Sequence, residues 1–457
     1  MGLIIKNGFV VTEKGTSRVD IRIKNGKINM IDSYIPVGLK DEIINADGKI
    51  VIPGAIDAHV HYHMKTAVGR TIDNYETATV SAAFGGITSF IDYASPIEGK
   101  SLLESLEQRE KEAQEHSYID YNFHMEITGE FDQDINQLPD LKTYGIESLK
   151  IYTTYGNTQL PDKKIQSLLK KAKELNMLVT VHAEDDEIVS NLKEKFILER
   201  KTSPCYHADS RPNEAERAAI EKVLHFAKEA HAPIYIVHIS TREGVELINQ
   251  AKEAGQKVYG ETCPHYLLLT DECYKKIEPQ KYIMTPPLRK KVDQEMLWKN
   301  ISEGTLQCIT SDHCSFSIKD KLSSNNCFEV IPGIGGSETL LPLLFSEGVS
   351  KGRITLEQFV CLISTNPARM FGLYPQKGVI TIGSDADITI IDPQKDVILK
   401  GSNLHSAAKY TVFEDFRVKG YPIITICRGV VICKDNNLMV SKPDGKFIKA
   451  QNIKYVS

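Results

Sequence analysis

The chain has 457 residues and a formal net charge of −5, with 55 Lys and Arg against 60 Asp and Glu. That length exceeds what one hydrophobic core holds, so a large domain with a smaller companion is expected. No basic cluster points to nucleic acid or a membrane surface, and no apolar run reaches the roughly 18 residues that span a bilayer. The opening Met-Gly-Leu-Ile-Ile-Lys-Asn-Gly lacks a signal peptide's apolar core. Nine cysteines are scattered without any Cys-x-x-Cys pair, which predicts reduced thiols in a cytoplasmic protein and no cysteine-held metal.

Residues 1–52 read as short strands with Gly and Asn turns: 3–5, 9–11, 19–23, 27–28 and 43–44. Asn25-Gly26 suits the positive φ of a type I′ hairpin turn, and the segment looks like antiparallel β structure. From Pro53 apolar strands alternate with amphipathic helices. Strands are expected at 55–61, 87–93, 119–127, 148–151, 178–182, 234–238, 257–261 and 306–310, with helices such as 102–116, 163–175, 213–230 and 242–254 between them. Eight such units predict an α/β fold, a (β/α)8 TIM-like barrel over 53–373. A doubly wound sheet is disfavoured because no Gly-x-Gly-x-x-Gly turn follows an early strand. After Leu373 β patterning returns at 378–380, 387–391, 397–399 and 423–428. Residues 1–52 and 374–440 are therefore expected to pair into one small β-sandwich domain, leaving 441–457 as a polar tail that packs on a neighbour or frays.

The stretch 50–63 organises the rest. It ends in Asp57, His59 and His61, alternate residues that share one face of a strand. Taken alone, a His-x-His more often caps a strand than binds metal. Barrel active sites, however, lie at the C-terminal ends of the strands. There the fourth strand carries Lys150, the fifth ends in His182, the sixth in His238 and the eighth in Asp312. Four His, one Asp and a Lys exceed a single tetrahedral zinc, so two metals fit better. An ammonium has no lone pair to offer, but burial disfavours its charge. A neutral amine can react with carbon dioxide to give a carbamate whose two oxygens bridge two cations.

Several motifs carry a resemblance that spans almost the whole chain. They are Pro53-Gly-Ala-Ile-Asp-Ala-His-Val-His, Ala83-Phe-Gly-Gly-Ile-Thr-Ser-Phe-Ile-Asp-Tyr-Ala, Tyr121-Asn-Phe-His-Met-Glu-Ile-Thr, Gly260-Glu-Thr-Cys-Pro-His-Tyr-Leu, Pro286-Pro-Leu-Arg, Ser311-Asp-His-Cys, Asn366-Pro-Ala-Arg-Met-Phe-Gly-Leu and Gly383-Ser-Asp-Ala-Asp-Ile. The sequence resembles the cyclic amidohydrolases, and within them the dihydropyrimidinase/hydantoinase family. The resemblance implies two Zn2+ per subunit. His59, His61 and Asp312 would hold one, His182 and His238 the other, with N6-carboxylated Lys150 as the bridge. It also implies a homotetramer or homodimer and a small cyclic amide substrate, a hydantoin or a 5,6-dihydropyrimidine opened to an N-carbamoyl amino acid. Asp312 would act as general base and then acid. Tyr155 would hydrogen-bond the oxyanion. Asp57 would orient the two histidines.

Two positions depart from the family pattern. Thr285 stands where a Ser is common before Pro-Pro-Leu-Arg, and Gly333 stands where an Asn follows Ile-Pro; both belong to the expected substrate-binding set with Tyr155. The loop 62–70, with His63 and Lys65, is more polar than in relatives. It is more simply a surface feature, though it could favour a substrate bearing a carboxylate. Allantoinase or dihydroorotase activity by the same chemistry, a catalytically silent dihydropyrimidinase-related scaffold, and a mononuclear deaminase-like site with unmodified Lys150 remain as alternatives.

Overall fold

A computed structural model of the chain describes residues 2–66, 69–131 and 133–456. The ends of the expected 1–52 and 441–457 segments, Met1 and Ser457, lie outside the described residues, as do residues 67 and 68 of the 62–70 loop. Eight strands form a parallel barrel: β1 (Ala55–Val60), β2 (Ile87–Ala94), β3 (Asp120–Glu126), β4 (Ser148–Tyr152), β5 (Leu178–His182), β6 (Ile234–Ile236), β7 (Val258–Thr262) and β8 (Cys308–Ile309). Each pairs in parallel with its chain neighbour. A bridge from Val60 to His313, with His61 N–H donating to His313 O at 2.8 Å, closes the ring between β1 and the segment after β8. Every residue of β2 is buried, as expected for a strand covered on both faces. The helix Asn213–Ala230 shows how the outer layer forms. Its buried Ala219, Ile220, Val223, Leu224 and Ala227 recur at helical spacing, giving one apolar stripe against the barrel.

Both chain ends build one nine-stranded sheet. Leu3–Thr12 lies at its centre, antiparallel to Gly15–Lys24 but parallel to Glu42–Asn45 and Ile50–Pro53. The expected all-antiparallel N-terminal segment is therefore mixed, because residues 33–41 carry the chain back across the sheet before 42–45 pairs. Ile50–Pro53 joins the C-terminal strands through Ile388–Ile398, followed by Arg417–Cys427, Val430–Lys434 and Asn437–Leu438. Residues 378–380, expected as a strand, form none; the runs 387–391 and 397–399 belong to a single strand. Asn25 (φ 52°) and Gly26 (φ 75°) make the anticipated tight turn. Inward residues from both ends, including Ile5, Ile21, Val51, Ile388, Ile390 and Ile426, share one buried cluster, so the sheet folds over a core of its own.

Gly54 is the passage from sheet to barrel. A Cβ there would sit 2.1 Å from Thr88 Oγ1, so only glycine lets the two layers approach this closely. A buried ionic knot ties the same junction. Lys377 Nζ lies 2.6 Å from Asp387 and 3.1 Å from Asp385, and also bonds Asp120 at the start of β3, which Arg428 bonds as well. The tail does not fray. Ile448 N–H donates to Tyr121 O at 2.8 Å and Ala450 N–H to Gly145 O at 3.0 Å, and Ile448, Ala450 and Ile453 are buried against the N-terminal end of the barrel. Among the described residues no helix is long and apolar enough to cross a membrane.

Candidate active site

The C-terminal end of the barrel gathers the ionisable residues expected there. His59 lies near the end of β1 and His61 just past it. Their Nε2 atoms stand 3.3 and 3.2 Å from the same Asp312 oxygen, and the three donor atoms lie within 4.8 Å of one another. Opposite, His182 closes β5 and His238 follows β6 by two residues, with His182 Nδ1 2.8 Å from His238 Nε2. The ring centroids of His59 and His238 are 5.3 Å apart, which makes the two groups one cluster. Lys150, within β4, is buried with its ammonium 5.0 Å from the Tyr93 ring centroid and 5.1 Å from that of Tyr152. His238 and Asp312 do not sit on strands, contrary to the sequence-based expectation. Both turn out of the ladder at positive φ, 37° and 49°, a costly conformation for such residues that aims their side chains into the mouth.

Further buried ionisable residues hold this cluster in place. Glu261, in β7, bonds His59 Nδ1 and takes a 2.9 Å hydrogen bond from Tyr235 OH. Glu184 accepts from His182 Nε2 at 2.8 Å and is clamped by Arg211 through Nε at 2.9 Å and Nη2 at 2.5 Å. Asp57 does not orient the histidines. Its carboxylate accepts from Ser311 N–H at 3.0 Å, Ser311 Oγ at 2.5 Å and Ser337 Oγ at 2.9 Å, fixing the backbone just before Asp312. Glu261 ends an expected strand and Glu184 follows His182 by two, so both carried a weak signal in the sequence. Arg211, in the loop before the Asn213–Ala230 helix, carried none.

The electrostatics of the cluster favour a cation. Burial holds His59 and His238 well below the usual imidazole range and lowers His182 despite Glu184. Burial likewise pushes Lys150 down to about 8, against the pull of Asp312 and Glu261. The tautomers follow from the hydrogen-bond partners: His182 donates through Nε2 to Glu184, leaving the Nδ1 lone pair aimed at His238 Nε2. At 2.8 Å the His182 Nδ1 lone pair can take a neutral N–H from His238 Nε2, and a cation held by both nitrogens would stand in that proton's place. His59 Nε2 and His61 Nε2 converge on one Asp312 oxygen, where a cation could likewise replace the imidazole N–H donors. An imidazole and carboxylate set of this kind fits zinc or another borderline divalent metal.

The rim is built from Tyr155, Thr285 and Gly333. Tyr155, at φ 78°, places its hydroxyl 2.7 Å from Thr285 Oγ1 and its ring centroid 4.8 Å from that of His182. The Arg211 guanidinium stacks 5.4 Å from the Tyr155 ring centroid. Burial raises the Tyr155 phenol above its usual range, keeping it a protonated donor. Gly333 N–H donates to Ile283 O at 3.0 Å, two residues before Thr285, so the two departures from the family pattern are neighbours. At φ 134°, with a hypothetical Cβ only 2.5 Å from Cys314 O, position 333 admits no side chain in this conformation. On the 62–70 loop His63 turns towards Glu112 at 3.7 Å, and Arg70 pairs with the same carboxylate at 3.1 Å.

The Amidohydrolase family model matches residues 50–432. A D-hydantoinase of Ralstonia pickettii is 39% identical over 459 aligned residues, covering 99% of this chain and 100% of that protein. A D-phenylhydantoinase of Escherichia coli O1:K1 / APEC is 37% identical, covering 98% of each. The crystal structure of dihydropyrimidinase from Brevibacillus agri NCHU1002 superposes with a TM-score of 0.95 at 36% identity, covering 99% of each chain. With the family match extending over the whole barrel and into the C-terminal strands of the sheet, the chain belongs to the amidohydrolase family.

Proposed function

We propose that this protein is a metal-dependent hydrolase that opens a hydantoin or 5,6-dihydropyrimidine ring to an N-carbamoyl amino acid. The observation that carries the reading is the convergence of His59, His61, Lys150, His182, His238 and Asp312 at one barrel mouth, with imidazole nitrogens and a carboxylate close enough to share cations. His59, His61 and Asp312 would hold one zinc ion and His182 and His238 the other. Lys150, its amine released by burial, would react with carbon dioxide, giving up a proton, and the resulting carbamate would help hold both ions. When bound, the pair supplies Lewis acidity and an activated water.

The protein's own groups do the rest. Asp312 accepts a proton from the attacking water and returns it to the ring nitrogen as the C–N bond breaks, so water adds across that bond. Tyr155 donates to the carbonyl oxygen as negative charge develops there, while the Thr285 hydroxyl donates to the phenol oxygen and leaves its O–H free for substrate. Gly333 N–H is already engaged with Ile283, so the second lone pair of its carbonyl, whose first takes the Lys321 ammonium at 3.0 Å, is left with the backbone at Thr285 to grip the ring's amide edge. The R. pickettii and E. coli relatives, named for D-hydantoins, support the D-series as first substrates. The reading includes a homotetramer or homodimer in the cytoplasm; nine free cysteines, most of them buried, support a reducing compartment.

The test is a panel of hydantoin, 5-substituted hydantoins, dihydrouracil, allantoin and dihydroorotate, assayed with zinc and bicarbonate supplied and bound metal counted. Release of N-carbamoyl products from the first three at about two metals per chain is the expected result. No ring opening, with less than one metal per chain, would instead identify a silent scaffold.

A further inference from the structure

Lys321 ends the short helix Ile318–Lys321 and is fully buried. Its ammonium donates to three backbone carbonyls and no carboxylate: Ile283 O at 2.7 Å, Ile331 O at 2.8 Å and Gly333 O at 3.0 Å. Three donors meet three acceptors, so the group is saturated. Burial without an acidic partner pushes this lysine down to about 7, the mark of a charge kept at a cost. A methionine would fill the same volume without that cost. What the ammonium adds is a fixed relation between two loops that share no side-chain hydrogen bond of their own among the described residues.

Those loops are the two halves of the rim. Ile283 leads through Met284 to Thr285, whose hydroxyl bonds Tyr155. Met284 O is itself held by His207 Nε2 at 2.8 Å. Gly333 leads to Ile334, whose carbonyl takes Cys314 N–H at 2.8 Å, two residues beyond Asp312. Ile283 O accepts from both Gly333 N–H and Lys321, so the two loops are pinned at one atom.

We propose that Lys321 is a positioning residue that locks the Thr285 and Gly333 loops in register, and so sets which ring size the pocket accepts. The inference rests on the ring-opening reading for its consequence, but not for its mechanics. Lys321 touches neither substrate nor the reacting atoms; it acts through the backbone groups that would grip the ring's amide edge. Because Gly333 has no side chain, that edge is read by backbone alone, and register between the loops is what remains to define the gap.

Lys321→Met, and Lys321→Gln as a milder variant that keeps two donors, test this in the metal-loaded enzyme. The expected result is a rise in KM of about tenfold or more with kcat changed less than about threefold, and an unequal effect on five- and six-membered rings that narrows the preference between them. Hydrogen exchange read by mass spectrometry should accelerate together in peptides covering 283–285 and 331–335 while those covering β1 to β5 stay protected. An equal loss on both ring sizes, or faster exchange confined to 318–321, would overturn the proposal. If the wild-type protein opens none of the rings, the functional reading falls, and the exchange result alone decides whether Lys321 locks the loops.

Discussion

The barrel mouth and the junction between barrel and terminal sheet each bury a lysine, and they treat it in opposite ways. At the junction Lys377 sits among Asp120, Asp385 and Asp387; burial disfavours its charge, but Asp387 and Asp385 outweigh that and raise it above the ordinary lysine range. At the mouth Lys150 faces two aromatic rings and lone-pair nitrogens, and burial lowers it to about 8. A paired buried charge is structural, because removing one member strands the others. An unpaired one has lost much of its hold on the proton, and where it faces a cluster of metal-type donors, as Lys150 does and the carbonyl-bound Lys321 does not, it becomes available for chemistry. The difference separates the part of the molecule built for stability from the part built for reaction.

The contrast can be broken most sharply at Lys150. Lys150→Ala should lower ring-opening activity by at least about ten-thousandfold, or ~5.5 kcal/mol, and reduce bound metal, with little change in melting temperature. An enzyme that keeps most of its activity would be mononuclear. Lys377→Met should do the reverse. It leaves buried carboxylates without their cation, costing about 3–5 kcal/mol in chemical denaturation, while metal content and KM stay near wild type. A Lys377→Met protein as stable as wild type would remove the junction's side of the comparison.

The smallest effect concerns pH. Burial alone would raise Asp385, but Lys377 and Lys27 outweigh it and hold its folded-state value below the ordinary one. A depressed carboxylate contributes stability that is present above its unfolded pKa of about 4 and lost as pH falls through the lower folded value. Asp385→Asn should therefore cost about 1 kcal/mol at neutral pH, and its deficit against wild type should shrink below about pH 4. A deficit independent of pH would mean that packing, not charge, holds Lys377.

The regular parts of the fold were legible because their patterns are local. The eight barrel strands and the helices 102–116, 163–175, 213–230 and 242–254 announce themselves by continuous apolar runs and 3.6-residue stripes, and they lie within a few residues of the expected positions. Residues 378–380 failed because three residues in a row look the same whether they pair or only pack. The parallel pairing of Leu3–Thr12 with two later strands was invisible, since pairing direction depends on where a connection returns. The tail looked loose because its contacts, to Tyr121 and Gly145, lie more than 300 residues away in the chain.

The candidate site divides the same way. His59, His61, Lys150, His182, His238 and Asp312 could be read from the sequence because barrel strands deliver their C-terminal residues to one place, so a ligand-type side chain at a strand end is informative by its position in the chain alone. Tertiary structure alone decided what supports them. Asp57 shares a strand face with His59, yet Ser311 after β8 and Ser337 at the start of a helix capture its carboxylate, and Glu261 from β7 takes the place beside His59. Arg211 and Lys321 act from segments whose sequences carry no period, and what they do depends on which distant carboxylate or carbonyl folding brings within about 3 Å. Sequence determines which chemistry stands at the ends of regular elements; the contacts that aim it belong to the folded chain.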